Sequence, residues 1–137
     1  MDIRKLEPGL DVTGQILPGD VPALAALGYR AIVSNRPDGE EVGQPRTEDV
    51  ARAAAGAGLA FRHLPVRGGA ITDDDVAAFR DALETLPGPV LGFCRSGMRT
   101  TTLWALSRAT TTPADTLLTA ARAAGYDLEP LRPRLAA

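Results

Sequence analysis

The residues whose types and spacing can do chemistry lie in one short stretch, Cys94-Arg95-Ser96-Gly97-Met98-Arg99-Thr100. Cys94 is the only cysteine among 137 residues, and as a thiolate it is a nucleophile or the carrier of a transferred group. Gly97 lets the backbone curl without a Cβ clash, so the amides from Arg95 through Thr100 can converge on an anion. Arg99 offers a planar fork of donors for an oxyanion, and Arg95 adds positive potential beside it. Those dipoles and charges also favour the thiolate over the thiol. Cys94 and Arg99 are therefore the catalytic candidates, and Arg95, Ser96, Gly97, Met98 and Thr100 the anion-binding ones. A lone cysteine is more often a small buried apolar residue. Glycine and arginine at these spacings, between a strand and a helix, argue against that here.

A second cluster is Asn35-Arg36-Pro37-Asp38-Gly39-Glu40. Arg36 either contacts substrate or pairs with Asp38 or Glu40 to shape the loop, since Asp-Gly after Pro is also an ordinary turn signal. Arg36 and Asp38 join the candidate anion-binding residues. His63, the single histidine, reads as a half-buried hydrogen-bonded residue rather than a base. Asp73, Asp74 and Asp75 suit the positive first turn of a helix, and each is also a candidate acid, as is Asp38.

These groups need elements to position them. Short apolar runs predict strands at Leu10–Thr13, Tyr29–Ser34, Ala60–Val66 and Val90–Phe93. Between them lie helical stretches opened by Asp20, Thr47 and Thr72 and closed by Gly28, Gly56 or Gly58, and Pro87. Thr72 with Asp75 resembles a capping box. Helices over Thr100–Arg108 and Pro113–Ala123 follow, with Trp104 in the core, then a short packed turn before the C-terminus. Strands alternating with helices imply an α/β fold with a mostly parallel sheet covered on both faces. Ligands in such folds sit beyond the carboxyl ends of the strands, where Cys94 falls.

The chain reads as one domain over residues 1–137, long enough for a core without disulfides. Its net charge of −2 gives no basic field for nucleic acid or an anionic membrane. One cysteine with one histidine cannot build a zinc site, so neither metal nor cofactor is expected. Without an apolar span or a signal-peptide core, the expected location is the reducing cytoplasm.

The run Cys94-x-x-Gly97-x-Arg99 followed by Thr100 is similar to the active loop of rhodanese-type sulfurtransferases. Nearly the whole chain resembles a phosphatase-like family that occurs alone in bacteria and as the N-terminal domain of beta-lactamase-hydrolase-like proteins. Gly14-Gln15-Ile16, Asn35–Glu40, Gln44-Pro45, His63–Val66, Pro89–Leu91, Cys94–Thr100, Leu103–Leu106 and Gly125–Leu128 carry that resemblance. It implies a dual-specificity (tyrosine) phosphatase-like fold, a central sheet of four to five strands flanked by helices. It also implies a partner, because in those relatives the domain is joined to a persulfide dioxygenase.

Tyrosine-phosphatase-type enzymes resemble one another in His-Cys-x5-Arg. Here Phe93 stands in place of the histidine, and Arg99 comes one step early, with Thr100 in the expected position. In dual-specificity phosphatases an acidic Asp follows the strand matching His63–Val66, and this chain has Arg67-Gly68-Gly69 there. The shorter spacing suggests a tighter cradle, better suited to sulfane sulfur than to a phosphoryl group. The expectation is thus a sulfurtransferase that carries sulfur as a Cys94 persulfide from a small-molecule donor to an acceptor. The alternatives are a phosphatase using the same thiolate, and a non-catalytic module that senses anions or persulfides.

Overall fold

A computed structural model describes all residues, Met1–Ala137. Its elements run β1 (Arg4–Glu7), β2 (Leu10–Thr13), α1 (Val21–Ala26), β3 (Ala31–Ser34), α2 (Thr47–Gly56), β4 (Ala60–His63) and α3 (Asp73–Thr85). Then come β5 (Val90–Phe93), α4 (Met98–Arg108), α5 (Ala114–Ala123) and α6 (Arg132–Leu135). The strands form one sheet in the order β1-β2-β5-β3-β4. Only β1 is antiparallel to its neighbour; β2, β5, β3 and β4 all run parallel. The fold class is the expected one.

Strand β5 explains where the site must be. It lies between β2 and β3, so Phe93 is flanked by Thr13 and Ser34, and the loop that follows emerges from the centre of the sheet's carboxyl edge. The chain leaves that centre after β2 and returns to it only at β5, which makes the crevice there a topological switch point.

Alternation along the strands builds two cores. Leu10, Val12, Ala31, Val33 and Val90 face a cluster shared with Phe79, Leu103, Trp104 and Leu117 from α3, α4 and α5. Ile32, Leu91 and Phe93 face the other way, against Val21, Leu24, Val50 and Ala54 of α1 and α2. Gly92 is the exception. A Cβ there would lie 2.6 Å from Thr100 Cγ2, so its absence lets the first turn of α4 sit directly on the sheet.

Several boundaries differ from expectation. Strand β4 ends at His63 rather than Val66. Its extension is nevertheless pinned: Leu64 N donates to Ser34 O at 2.8 Å and Val66 N to Asn35 O at 3.1 Å. The N-cap of α2 is Arg46, not Thr47. The capping acceptor comes from Asp38, whose Oδ1 takes Thr47 N and Oγ1 at 2.8 Å each. Asp20 closes a 3-10 turn, Pro18–Asp20, by accepting from Leu17 N at 2.8 Å, and α1 starts after it. The Thr72–Asp75 capping box is present as read. No helix is long and apolar enough to cross a membrane.

Candidate active site

Cys94 leaves β5 and the chain turns at once. Gly97 takes φ 96°, the left-handed region that favours glycine, and α4 begins at Met98. That curl brings Gly97 N to 3.1 Å from Cys94 Sγ. Gly97 is fixed from behind as well. A Cβ there would collide with the Tyr126 hydroxyl and lie 3.2 Å from Val12 Cγ2. Tyr126 Oη donates to Ser96 O at 2.9 Å, and burial, with the Cys94 charge second, pushes its phenol up, so the donor keeps its proton. Gly14 completes the frame: a Cβ would lie 2.9 Å from Arg95 O, which accepts Gln15 N at 3.2 Å.

Arg99, the second residue of α4, is held on one edge and open on the other. Its Nη1 donates to Glu40 Oε2 at 2.8 Å and to Val66 O at 3.0 Å, while Nη2 donates to Glu40 Oε1 at 2.8 Å. A guanidinium has five N–H donors, so Nε and the second Nη2 hydrogen are left over from Glu40 and Val66, and the Cys94 sulfur is within reach of the guanidinium as an acceptor. The pKa of Arg99 is raised, first by the Glu40 hydrogen bonds, with the charge of the Cys94 sulfur adding to them against burial. Glu40 is in turn held at about 2, first by Arg99 and then by Arg36, with burial opposing. It remains a carboxylate at any physiological pH. The arrangement leaves the Nε–Nη2 edge for an oxyanion, already oriented before one binds.

The expected site residues divide into two groups. Arg95, Ser96, Gly97 and Met98 form the loop around Cys94. Arg95 is exposed and pairs with Glu41 at 3.5 Å, Ser96 Oγ accepts Met98 N at 3.3 Å, and Met98 is exposed. Thr100, Arg36 and Asp38 lie outside the cradle. Thr100 is buried and donates to Asn35 Oδ1 at 2.8 Å, anchoring α4 to the end of β3. Arg36 is buried too, with Nε on Glu40, Nη1 on Gln15 and Nη2 on Glu41 at 2.9–3.0 Å. With all three side-chain nitrogens donating inside the protein and the side chain buried, Arg36 anchors the glutamate that pairs with Arg99. Asp38 caps α2; the Thr47 amide first, and then its hydroxyl, keep that carboxyl below its ordinary range. The acid candidates on α3 are engaged elsewhere, Asp73 with Arg134 at 3.2 Å and Asp75 with Thr72, while Asp74 is exposed. His63 is hydrogen-bonded as expected, its Nε2 lying 2.8 Å from Arg36 O.

Cys94 is 1% exposed, yet its sulfur faces an amide and a guanidinium rather than hydrocarbon. Cys94 lines none of the surface cavities. Sequence reading missed Glu40 as the partner of Arg99 and Tyr126 as the brace of Gly97. The only local signal for Glu40 is that it lies near Arg36 in the same loop and pairs with it.

Residues 2–111 match the family described as the beta-lactamase hydrolase-like protein, phosphatase-like domain. A beta-lactamase hydrolase-like protein of Agrobacterium fabrum is 38% identical over 109 residues, 80% of this chain and 25% of that protein. The chain thus spans about a quarter of the length of the curated relatives it matches. A crystal structure from Neisseria meningitidis, provisionally assigned as a phosphatase, is 38% identical with a TM-score of 0.90, covering 99% of this chain and 97% of that one. TpbA of P. aeruginosa with pTyr bound shares the fold alone, at 19% identity and a TM-score of 0.70 over 97% of this chain and 80% of that one. These findings overturn the expectation of a rhodanese-like sulfurtransferase: the matching family and the similar structures are phosphatase-like. The Cys-to-Arg spacing misled because it does not measure the cradle. At the shorter spacing, with α4 beginning directly after Gly97, the Cys94 sulfur still acts on the Arg99 guanidinium.

Proposed function

The chain belongs to the phosphatase-like domain family of beta-lactamase hydrolase-like proteins, and from that premise we propose that it is a cysteine-dependent phosphatase. The single observation that carries the reading is the pairing of Cys94 Sγ, 3.1 Å from Gly97 N, with an Arg99 that reaches the same sulfur and whose Nε–Nη2 edge is left over from Glu40 and Val66. The Cys94 thiolate attacks phosphorus while the loop amides and Arg99 take up the charge of the phosphoryl oxygens. The bond to the leaving oxygen breaks, and water then hydrolyses the cysteinyl phosphate, returning the thiolate. A nucleophile of this kind works only while reduced, which makes the cytoplasm the proposed location.

The test is turnover of 4-nitrophenyl phosphate. Cys94→Ser should lower kcat by about 10⁴–10⁶-fold while the protein still binds vanadate, and acid-quenched wild type should carry a phosphoryl adduct on Cys94. A serine variant as active as wild type overturns the reading.

A further inference from the structure

We infer that Arg67 does the work usually left to a general acid, and that the substrate is a phosphoanhydride whose leaving group departs as an anion against that guanidinium. This rests on the phosphatase reading and extends it to a substrate class. An alkoxide leaves poorly without a proton, and a positioned acid contributes about 10²–10⁴-fold to such a step. The carboxylates bordering the Cys94 loop cannot supply that proton. Glu40 is bound to Arg99 and Arg36, Glu41 to Arg36 and Arg95, and Asp38 to the start of α2. Hydrogen bonds hold all three below the ordinary carboxyl range.

The segment after β4 borders the site most directly. Val66 is fixed there on both sides, its N–H on Asn35 O at 3.1 Å and its carbonyl on Arg99 at 3.0 Å. The next residues are Arg67-Gly68-Gly69-Ala70, closed as a turn by Ala70 N on Arg67 O at 3.2 Å; none is acidic. Arg67 is exposed and makes neither an ion pair nor a side-chain hydrogen bond, whereas Arg36, Arg95 and Arg99 are each paired with a glutamate. A cation stands free one residue beyond the carbonyl that holds Arg99.

A phosphoanhydride suits that arrangement. Cys94 Sγ forms a bond to one phosphorus as the bridging P–O bond breaks, and the electron pair stays on the departing phosphate, which needs no proton at neutral pH. Arg67 can meet two of its oxygens at once. Water then adds its oxygen to the cysteinyl phosphorus, the S–P electrons return to sulfur, and the water's protons go to the released phosphate and to solvent.

The experiment uses the full chain with inorganic pyrophosphate, 4-nitrophenyl phosphate and a series of aryl phosphates ending in phenyl phosphate. The aryl series should fall steeply in kcat/KM as the phenol becomes less acidic, with pyrophosphate turned over faster than phenyl phosphate. Arg67→Gln should cost about tenfold to a hundredfold on pyrophosphate and less than about threefold on 4-nitrophenyl phosphate. A flat aryl series, a preference for phenyl phosphate, or an Arg67→Gln variant that treats both substrates alike overturns the inference and leaves the phosphatase reading standing. Failure of wild type to turn over any of them overturns both.

Discussion

The two ends of α4 carry the same pair of groups to different effect. At the carboxyl end, Arg108 donates Nε and Nη2 to Glu7 at 2.9 and 3.0 Å, and the Trp104 indole donates to the same carboxylate. A cation there sits where the helix carbonyls concentrate negative charge, which is stabilising. At the amino end, Arg99 sits among amide hydrogens of its own sign. That placement works against the helix by about 0.3–1 kcal/mol, and Glu40 offsets it. One end of the helix is built to hold the fold together, and the other accepts a local conflict that a bound oxyanion would resolve.

That contrast can be broken in order of expected effect. Arg99→Ala should lower kcat/KM for a phosphoryl substrate by about 10²–10³-fold, with no loss of thermal stability to match. A drop in Tm without a kinetic effect would make the two ends alike. Glu40→Gln should cost about tenfold in kcat/KM, since the guanidinium keeps its charge and loses its aim. Phosphate affinity that rises in this variant would recast Glu40 as a competitor for Arg99 rather than its support. Glu7→Gln should behave in the opposite way, losing about 1–3 kcal/mol of stability by chemical denaturation with steady-state kinetics unchanged.

Acid should sharpen the comparison further. Glu40 is held at about 2 against an ordinary 4.5, so its folded-state value is depressed. Its contribution to stability is therefore complete above pH 4.5 and fades as the pH falls from there toward about 2. Denaturation midpoints measured across that window should fall less steeply in Glu40→Gln than in wild type. Equal slopes would show that the Arg99–Glu40 pair contributes nothing to the fold.

What could be read in advance, and what could not, follows from the range of each interaction. Leu10–Thr13 and Val90–Phe93 are strands with the boundaries expected from their apolar runs, and Thr72 caps α3 through Asp75 as local spacing predicts. The Cys94 loop was legible for the same reason: its glycine and arginine are near neighbours in the chain. Strand β1 was not, because Arg-Lys-Leu-Glu at a sheet edge is largely exposed and forms by pairing with β2. Arg99 and Glu40 lie 59 residues apart, and no periodicity announces a pairing at that distance. The choice between sulfur and phosphate went astray at the same limit. Counting residues between Cys94 and Arg99 says nothing of the glycine turn and the distant carboxylate that decide where the guanidinium points.

Tyr126 gives the family boundary a practical meaning. The stretch that matches the family ends at residue 111, but the hydroxyl that closes over Ser96 and Gly97 comes from beyond it. A chain cut at that boundary would keep every residue of the cysteine turn and lose the side chain that buttresses it from behind. The structural frame of the cysteine turn is therefore longer than the family match.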